Sequence, residues 1–395
     1  MMQPVKDNIF WVGQVDWGLK KFHGNEYSIH RGSSYNSYLI RDKKTVLVDT
    51  VWKPFAREWV GRLAAEVDLK NISAVVANHG EIDHSGGLEE LLSRIPGTPL
   101  YCTANAVKSL RGQYHQDWNF QVVKTGDRLS LGSKELVFVE APMLHWPDSM
   151  MCYLTGDAVL FSNDAFGQHY ASELLFNDLV DRAELYQEAV KYYANILTPF
   201  SPLVTKKIQE LLALKLPLEA ICPSHGVIWR DNPAQIVEAY LRWADSYREN
   251  QITLVYDTMW DGTRRLAEEI TRGLHEADPK VALKLFNAGR SDKNDIITEI
   301  FRSKAVLFGS STINRAILTS MAALLEEVKG LGFKGKKAAA FGCYGWSGES
   351  VKILTEGLRA AGFEVADEGY RALWNPNPEA LAGASQFGKK LAAIL

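Results

Sequence analysis

"SAVVANHGEIDHSGGLEELL", residues 73–92, is the stretch on which the reading of this chain turns. It runs from strand to turn to helix, and the turn carries His79, Glu81, Asp83 and His84. A lone histidine in such a loop is usually structural. Four ligand-type side chains within six residues are harder to explain that way, because packed ionisable groups without a counter-charge are expensive. The crowding points to a bound metal.

Composition narrows the field around that turn. The chain has 395 residues, 46% hydrophobic and 23% charged, which are ordinary globular proportions with length for about two domains. A net charge of -3 argues against nucleic-acid or membrane-surface binding, both of which usually use a basic face. The opening "MMQPVKDNIFWVGQ" has no apolar signal region, and no stretch approaches the roughly 18 apolar residues of a spanning helix. A soluble, cytoplasmic protein is the expectation. Cys102, Cys152, Cys222 and Cys343 are far apart and never form C-x-x-C, which disfavours a disulfide framework, a zinc ribbon or an appended rubredoxin.

The organisation changes near residue 250. Before it, the β-rich runs "NSYLI", "TVLVDT", "SAVVAN", "ELVFVEA" and "AVLFSND" alternate with turns and with helical stretches such as "FAREWVGRLAAEV", which reads as a layered α/β domain closed by the helix "AQIVEAYLRWADSYREN". After it, the buried-strand runs "ITLVYD", "VALKLFN", "AVLFGS" and "KAAAFG", and a weaker "FEVADEG", are separated by helical patterns. That rhythm predicts a doubly wound parallel sheet with its ligand site at the carboxyl ends of the strands. The expected domains are 1–250 and 251–395, joined by a short tether.

Three further candidate ligands sit at the ends of later strands: His145 in "VEAPMLHWPDSM", Asp164 in "LFSNDAFG" and His225 in "ICPSHG". Singly, each has a plain reading as a core histidine, a turn residue and a loop residue. Their order and spacing relative to His79 change that.

Along its whole length the chain resembles the flavodiiron proteins, in which a metallo-β-lactamase-like αββα domain is fused to a flavodoxin-like domain. The likeness is carried by "NHGEIDHSGG", "HWPDSM", "SNDAFGQH", "SHGVIWR" and "YDTMWDGTRR". The resemblance implies a two-iron centre held by His79, Glu81, Asp83, His145, Asp164 and His225, with Asp164 as the bridging carboxylate. His84 fills a position that ligates in some members and points away in others. The usual metal turn of the metallo-β-lactamase fold is H-x-H-x-D-H, and here Glu81 replaces its second histidine.

Charge balance accounts for that replacement. Glu81, Asp83 and Asp164 supply three negative charges, and a bridging hydroxide would supply a fourth, against four positive charges on two ferrous ions. A histidine-richer site suits zinc and its activated water, whereas carboxylate in place of imidazole suits iron and a change of oxidation state. Manganese or zinc also fits these ligands. The alternative is therefore a zinc hydrolase with a flavodoxin-like passenger domain, and a third reading is a flavin electron carrier with a structural metal.

The second domain supplies what a redox centre needs. After "ITLVYD" comes "TMWDGTRR" and a helix, and a hydroxyl-rich turn at a helix N-terminus suits a phosphate. Thr258, Met259, Asp261, Gly262 and Thr263 are candidates there. Asp261 is expected to point outward, with Gly262 relaxing the turn. The loops "GSSTINRA" and "GCYGWSGES" follow the next strands, and the resemblance implies Ser310, Thr312, Asn314, Tyr344, Gly345 and Trp346 as flavin contacts. Trp346 in a glycine-rich loop has little core to fill, so stacking on a planar ring accounts for it better. The first strand is not followed by G-x-G-x-x-G, so FMN is preferred to NAD.

FMN can store two electrons and two irons can store two more, the four needed to reduce dioxygen to water. Coupling two nitric oxide molecules to nitrous oxide needs two. The resemblance implies a reductase of one or both gases, fed by a rubredoxin-like donor. It also implies a head-to-tail homodimer, or a dimer of dimers, in which one chain's FMN meets its partner's metal centre. Trp146, beside His145, either lines that junction or belongs to the core.

Overall fold

The computed structural model describes residues 2–395. It divides into two compact units. One runs to Tyr193 and resumes over Phe200–Leu241; the other comprises Ala194–Pro199 and Arg242–Leu395.

The first unit is built on two sheets. The seven-stranded sheet is ordered Gln3–Lys6, Ile9–Trp11, Tyr38–Arg41, Thr45–Val48, Ile72–Val76, Leu100–Cys102 and Phe120–Val122, antiparallel at the start and parallel over its last four strands. The five-stranded sheet is ordered Arg128–Ser130, Glu135–Glu140, Met150–Leu154, Val159–Asn163 and Ala220–Pro223, and only its last pair is parallel.

Alternation of side chains decides what each face covers. Tyr38, Ile40, Val46, Val48, Ala74 and Val76 pack with Phe138, Met150, Cys152, Leu154 and Phe161 in a core between the sheets. Their neighbours Leu39, Leu47 and Val75 point the other way. There they pack with Trp59, Val60 and Leu63 of the helix Ala56–Glu66 and with Leu91 and Leu110 of the helices Leu88–Arg94 and Ala104–Tyr114. Strands apolar on both faces read as continuous hydrophobic runs, which is why "TVLVDT" and "SAVVAN" are conspicuous in the sequence.

In the second unit a parallel sheet has the order Ala282–Asn287, Glu249–Asp257, Ser303–Ser310, Lys337–Tyr344, Glu364–Val365, with Tyr370–Leu373 also pairing Lys337–Tyr344. This 2-1-3-4-5 order is that of a flavodoxin-like doubly wound sheet. The helices Gly262–Ala277 and Pro378–Ile394 pack on one face, burying Leu266, Ile270 and Leu391 with Ile252, Leu254 and Phe341.

Two expectations need correction. The helix containing "AQIVEAYLRWADSYREN" spans Ala234–Ala244 and stops, because Glu249 already pairs with Ser303 at the head of the next strand and its carboxylate takes Arg302 Nε at 2.9 Å. "FEVADEG" is not one strand. Gly369, at φ +103° with the Ala340 carbonyl 2.6 Å from where a Cβ would stand, interrupts it, and pairing resumes at Tyr370. Among the described residues, no helix is long and apolar enough to cross a membrane.

Candidate metal centre and flavin site

The candidate ligands of the first unit gather just beyond strand ends. Past Ile72–Val76, the turn is fixed by Asn78, whose backbone N–H and Nδ2 donate to Asp49 Oδ1 at 2.7 Å and Oδ2 at 3.1 Å. His79, Gly80 and Glu81 follow, and Asp83 and His84 lie on a short helical turn, Ile82–Ser85. His145 comes from the loop after Glu135–Glu140, Asp164 directly follows Val159–Asn163, and His225 lies two residues past Ala220–Pro223. All are buried except the half-buried His145.

The structure brings all seven together, in two sets that share Asp164. In one, His79 Nε2 is 3.1 Å from Glu81 Oε2 and 3.7 Å from Asp164 Oδ2, and His145 Nε2 is 3.7 Å and 3.6 Å from the same two oxygens. In the other, His84 Nε2 is 3.2 Å from Asp83 Oδ2 and 3.0 Å from Asp164 Oδ1, and His225 Nε2 is 3.1 Å and 3.5 Å from those oxygens. Each Asp164 oxygen serves a different set. His84, left open by the sequence, turns its Nε2 to the cluster.

These residues fit a pair of metal ions. Both Asp83 oxygens, both His84 nitrogens and Asp164 Oδ2 are buried without a hydrogen-bond partner, so atoms about 3 Å apart are not aligned with one another. Groups so placed are costly unless a cation satisfies them. Metal–ligand bonds of about 2.1 Å put neighbouring donors roughly 3.0–3.4 Å apart, close to the observed spacing.

The electrostatics agree. Burial pushes Asp164 upward, but the His84 charge, with His145 and His79, outweighs it and holds the carboxyl well below its usual range. Burial likewise opposes Glu81, and hydrogen bonds from His23 and His79 overcome it. His84 is pushed up to about 9, because Asp83 and Asp164 outweigh its burial. Asp164 and Glu81 keep their negative charge in a buried site.

A surrounding layer orients the candidate ligands, and apart from Trp146 its members are not expected from the sequence. Asp148 Oδ1 is 2.8 Å from His79 Nδ1, and its Oδ2 accepts from Gly80 N–H at 3.1 Å. Gly80 has to be glycine, since a Cβ there would stand 2.6 Å from Asp148 Oδ2. His225 Nδ1 donates to the Ser34 carbonyl at 2.8 Å. Both contacts turn Nε2 inward as the free donor atom. His23 Nε2 meets Glu81 Oε1 at 2.6 Å. His169 packs 4.9 Å from His225, ring to ring, with Nδ1 on Ser33 Oγ at 2.9 Å. Trp146 sets its ring edge-on to His79 at 5.0 Å. Asp148 stands in "HWPDSM" and His169 in "SNDAFGQH", so both were visible as part of family-like stretches; His23 had no local signal.

The second unit has a cavity of about 610 Å³ at the carboxyl ends of its strands, within the range of cofactor sites. Of the expected contacts, Met259, Gly262, Thr312, Asn314, Tyr344, Gly345 and Trp346 line it. Thr258, Asp261, Thr263 and Ser310 are not among its walls. Thr263 Oγ1 instead binds Ser311 Oγ at 2.9 Å, pinning the helix start to the neighbouring loop. Ser310 Oγ donates to the Ser311 carbonyl and accepts from Leu318 N–H, so its hydroxyl is spent within its own loop. Asp261 does point outward, to Arg264 Nε at 3.0 Å.

The turn differs from expectation in one respect. Asp261 itself takes the left-handed conformation, φ +62°, and Gly262 is needed for close approach, its Cβ position lying 3.0 Å from Cys343 Sγ. Thr258 Oγ1 is buried without a partner beside this helix N-terminus, as a phosphate-binding hydroxyl would be. Trp260, Ser311, Arg315, Trp374 and Asn375 also line the cavity and were not singled out. Trp260 and Trp346 are 91% and 87% exposed, too open to be core. The cavity's size, its aromatic walls and its phosphate-type turn fit FMN.

Comparison with known proteins agrees with both sites. Residues 30–225 match the metallo-beta-lactamase superfamily and residues 254–388 match flavodoxin. Over 390 residues the chain is 57% identical to the anaerobic nitric oxide reductase flavorubredoxin of Escherichia coli O1:K1 and 58% identical to that of Klebsiella pneumoniae, in each case 98% of this chain and 81% of the relative. Among solved structures, rubredoxin oxygen:oxidoreductase from Desulfovibrio gigas superimposes with a TM-score of 0.96 at 34% identity, covering 100% of this chain and 98% of that one. The flavodiiron protein from Giardia intestinalis gives 0.95 at 34% identity, covering 100% and 96%.

Proposed function

The chain belongs to the flavodiiron protein family, and on that premise we propose that it is a reductase of nitric oxide, with dioxygen as a second substrate, fed by a rubredoxin-type electron donor. The observation that carries the proposal is Asp164, set with one oxygen in each of two matching groups of two imidazoles and one carboxylate. When bound, FMN and two irons supply the electrons and coordination positions that reduction of these gases requires. His79, Glu81 and His145 would hold one iron, Asp83, His84 and His225 the other, with Asp164 between them.

The chain's own residues prepare the site. Asp148 and the Ser34 carbonyl occupy the Nδ1 sides of His79 and His225 and so turn each Nε2 inward. Burial of the carboxylates excludes bulk water. In the second unit, the helix N-terminus at Gly262 would receive the phosphate, and Trp346 and Tyr344 would pack on the ring. The reading assigns residues 1–250 to the metal domain and 251–395 to the flavin domain, in a head-to-tail homodimer. All four cysteines are buried and free, as suits a reducing cytoplasm.

The nitric oxide preference is supported by the names of the relatives at 57–58% identity. The test is metal and flavin analysis of the purified protein together with anaerobic nitric oxide consumption under reducing conditions. About two irons and one FMN per chain are expected, and Glu81→His should shift the metal content toward zinc and abolish gas reduction while FMN stays bound. Zinc without flavin, or full turnover in Glu81→His, would overturn the proposal in favour of the hydrolase reading.

A further inference from the structure

Glu81 divides its oxygens between different partners. Oε2 faces the ring nitrogens of His79 and His145, whereas Oε1 is taken by His23 Nε2 at 2.6 Å. Asp83, the corresponding carboxylate of the other set, has no such partner: both its oxygens are buried without a hydrogen bond. The two halves of the cluster are therefore built differently.

His23 is held in place by the hairpin Lys21–Phe22 and Tyr27–Ser28. It sits where the hairpin turns, at φ +48°, followed by Gly24 at φ +70°. A left-handed residue with a Cβ costs roughly 1–2 kcal/mol, so the turn is not the conformation His23 would choose alone. Its ring stacks on Phe22 at 4.6 Å and leans on Tyr27 at 5.2 Å. The side chain is 32% exposed, which places the imidazole between Glu81 and solvent.

A carboxylate can bind a metal through one oxygen or through both, and the second mode uses up a coordination position. We propose that His23 is a positioning residue that holds Glu81 Oε1, restricts Glu81 to ligation through Oε2, and so keeps one position open for a small ligand at the half of the centre formed by His79, Glu81 and His145. This rests on the diiron reading above.

The test is azide titration of the oxidised, iron-containing protein, followed by visible absorption, with iron counted in each sample. His23→Ala is expected to bind azide about 10- to 100-fold more weakly, the usual effect of losing such a partner, because Glu81 is then free to close the position. His23→Gln, which keeps an N–H donor at similar reach, is expected to restore most of the affinity. Loss of iron from His23→Ala overturns the inference, since a Glu81 freed to bind through both oxygens should hold the iron at least as well. Wild-type azide affinity in His23→Ala at full iron content overturns the inference, as does equal impairment of both variants, which would make the ring mere packing. Iron-free wild-type protein would defeat the diiron reading itself, and the metal count tells the two failures apart.

Discussion

Asp148→Asn is the sharpest single perturbation of the metal centre, because it removes one negative charge and turns an accepting oxygen into a donating NH2 with almost no change of volume. Asp148 is fully buried and accepts two hydrogen bonds, from His79 Nδ1 at 2.8 Å and from Gly80 N–H at 3.1 Å. An amide has one accepting and one donating end. In the metal-free protein both contacts survive if the amide oxygen takes Gly80 N–H and the amide N–H meets His79 Nδ1, which needs the tautomer protonated at Nε2. That is the wrong tautomer for a ligand. Binding a metal at Nε2 moves the proton back to Nδ1 and sets donor against donor.

One unsatisfied buried donor costs about 1–3 kcal/mol, a factor of roughly 5 to 150 in affinity. The expected result is a metal-free protein that melts close to wild type, together with one of two irons held that much more weakly. Competition with a chelator, monitored as iron released per chain, measures it. Unchanged affinity for both irons would refute the reasoning. Equal weakening of both, with a lowered melting temperature, would show that the substitution disturbs the fold rather than the tautomer.

Gly226→Ala should lower stability by more than about 2 kcal/mol in urea unfolding, because Gly226 has φ +74° and a Cβ would collide with the Gln168 amide and carbonyl; a near-neutral result would mean the loop holding His225 is looser than its contacts suggest. Trp346→Ala should weaken FMN binding by up to roughly tenfold, measured by flavin fluorescence, with no loss of stability, since the side chain is exposed in the free cavity. Lys336 donates to the carbonyls of Tyr247, Phe301 and Ser303, three bonds that only the ammonium can make at once; burial, assisted by Arg248, lowers it to about 7, so that one of them is given up above that pH. Its unfolded value is about 10.4, so the unfolded chain binds more protons between those limits and stability should rise with pH from 7 to 10. Lys336→Met should flatten that rise; a slope unchanged by the substitution would assign it to another group.

The fold was legible because its strands carry their signal locally. Val46 and Val48 face one core while Leu47 faces another, so the run needs no distant partner to be recognised. Where partners decide, local reading fails. The helix ending at Ala244 gives way to a strand pairing Ser303, and "FEVADEG" is broken by the approach of Gly369 to Ala340. The candidate site divides in the same way. His79, Glu81, Asp83 and His84 crowd one turn and announce themselves, whereas His23 meets Glu81 only because a short hairpin folds over the cluster. In the flavin cavity, Ser310 and Thr263 have the residue types of ligands but spend their hydroxyls inside the loops, while Trp374, following the strand Tyr370–Leu373 beyond that run, lines the cavity.

Counting His84 among the proposed ligands leaves the charge reasoning from the sequence intact. A ligating imidazole is neutral, so two imidazoles and one carboxylate on each side, with Asp164 shared, raise the number of donors without altering the charge. Three carboxylates leave two ferrous ions with one net positive charge and two ferric ions with three. Histidine at position 81 would make those charges two and four. The cost of a buried ion grows with the square of its charge, so the added penalty on oxidation is about a third smaller with the carboxylate in place. Asp164 places one oxygen toward each set, so its charge is shared by both, whereas Glu81 relieves the side that also faces His23. Glu81 thus favours a centre that cycles between oxidation states, and that is why exchanging it for histidine separates a gas reductase from a hydrolase more cleanly than removing a ligand would.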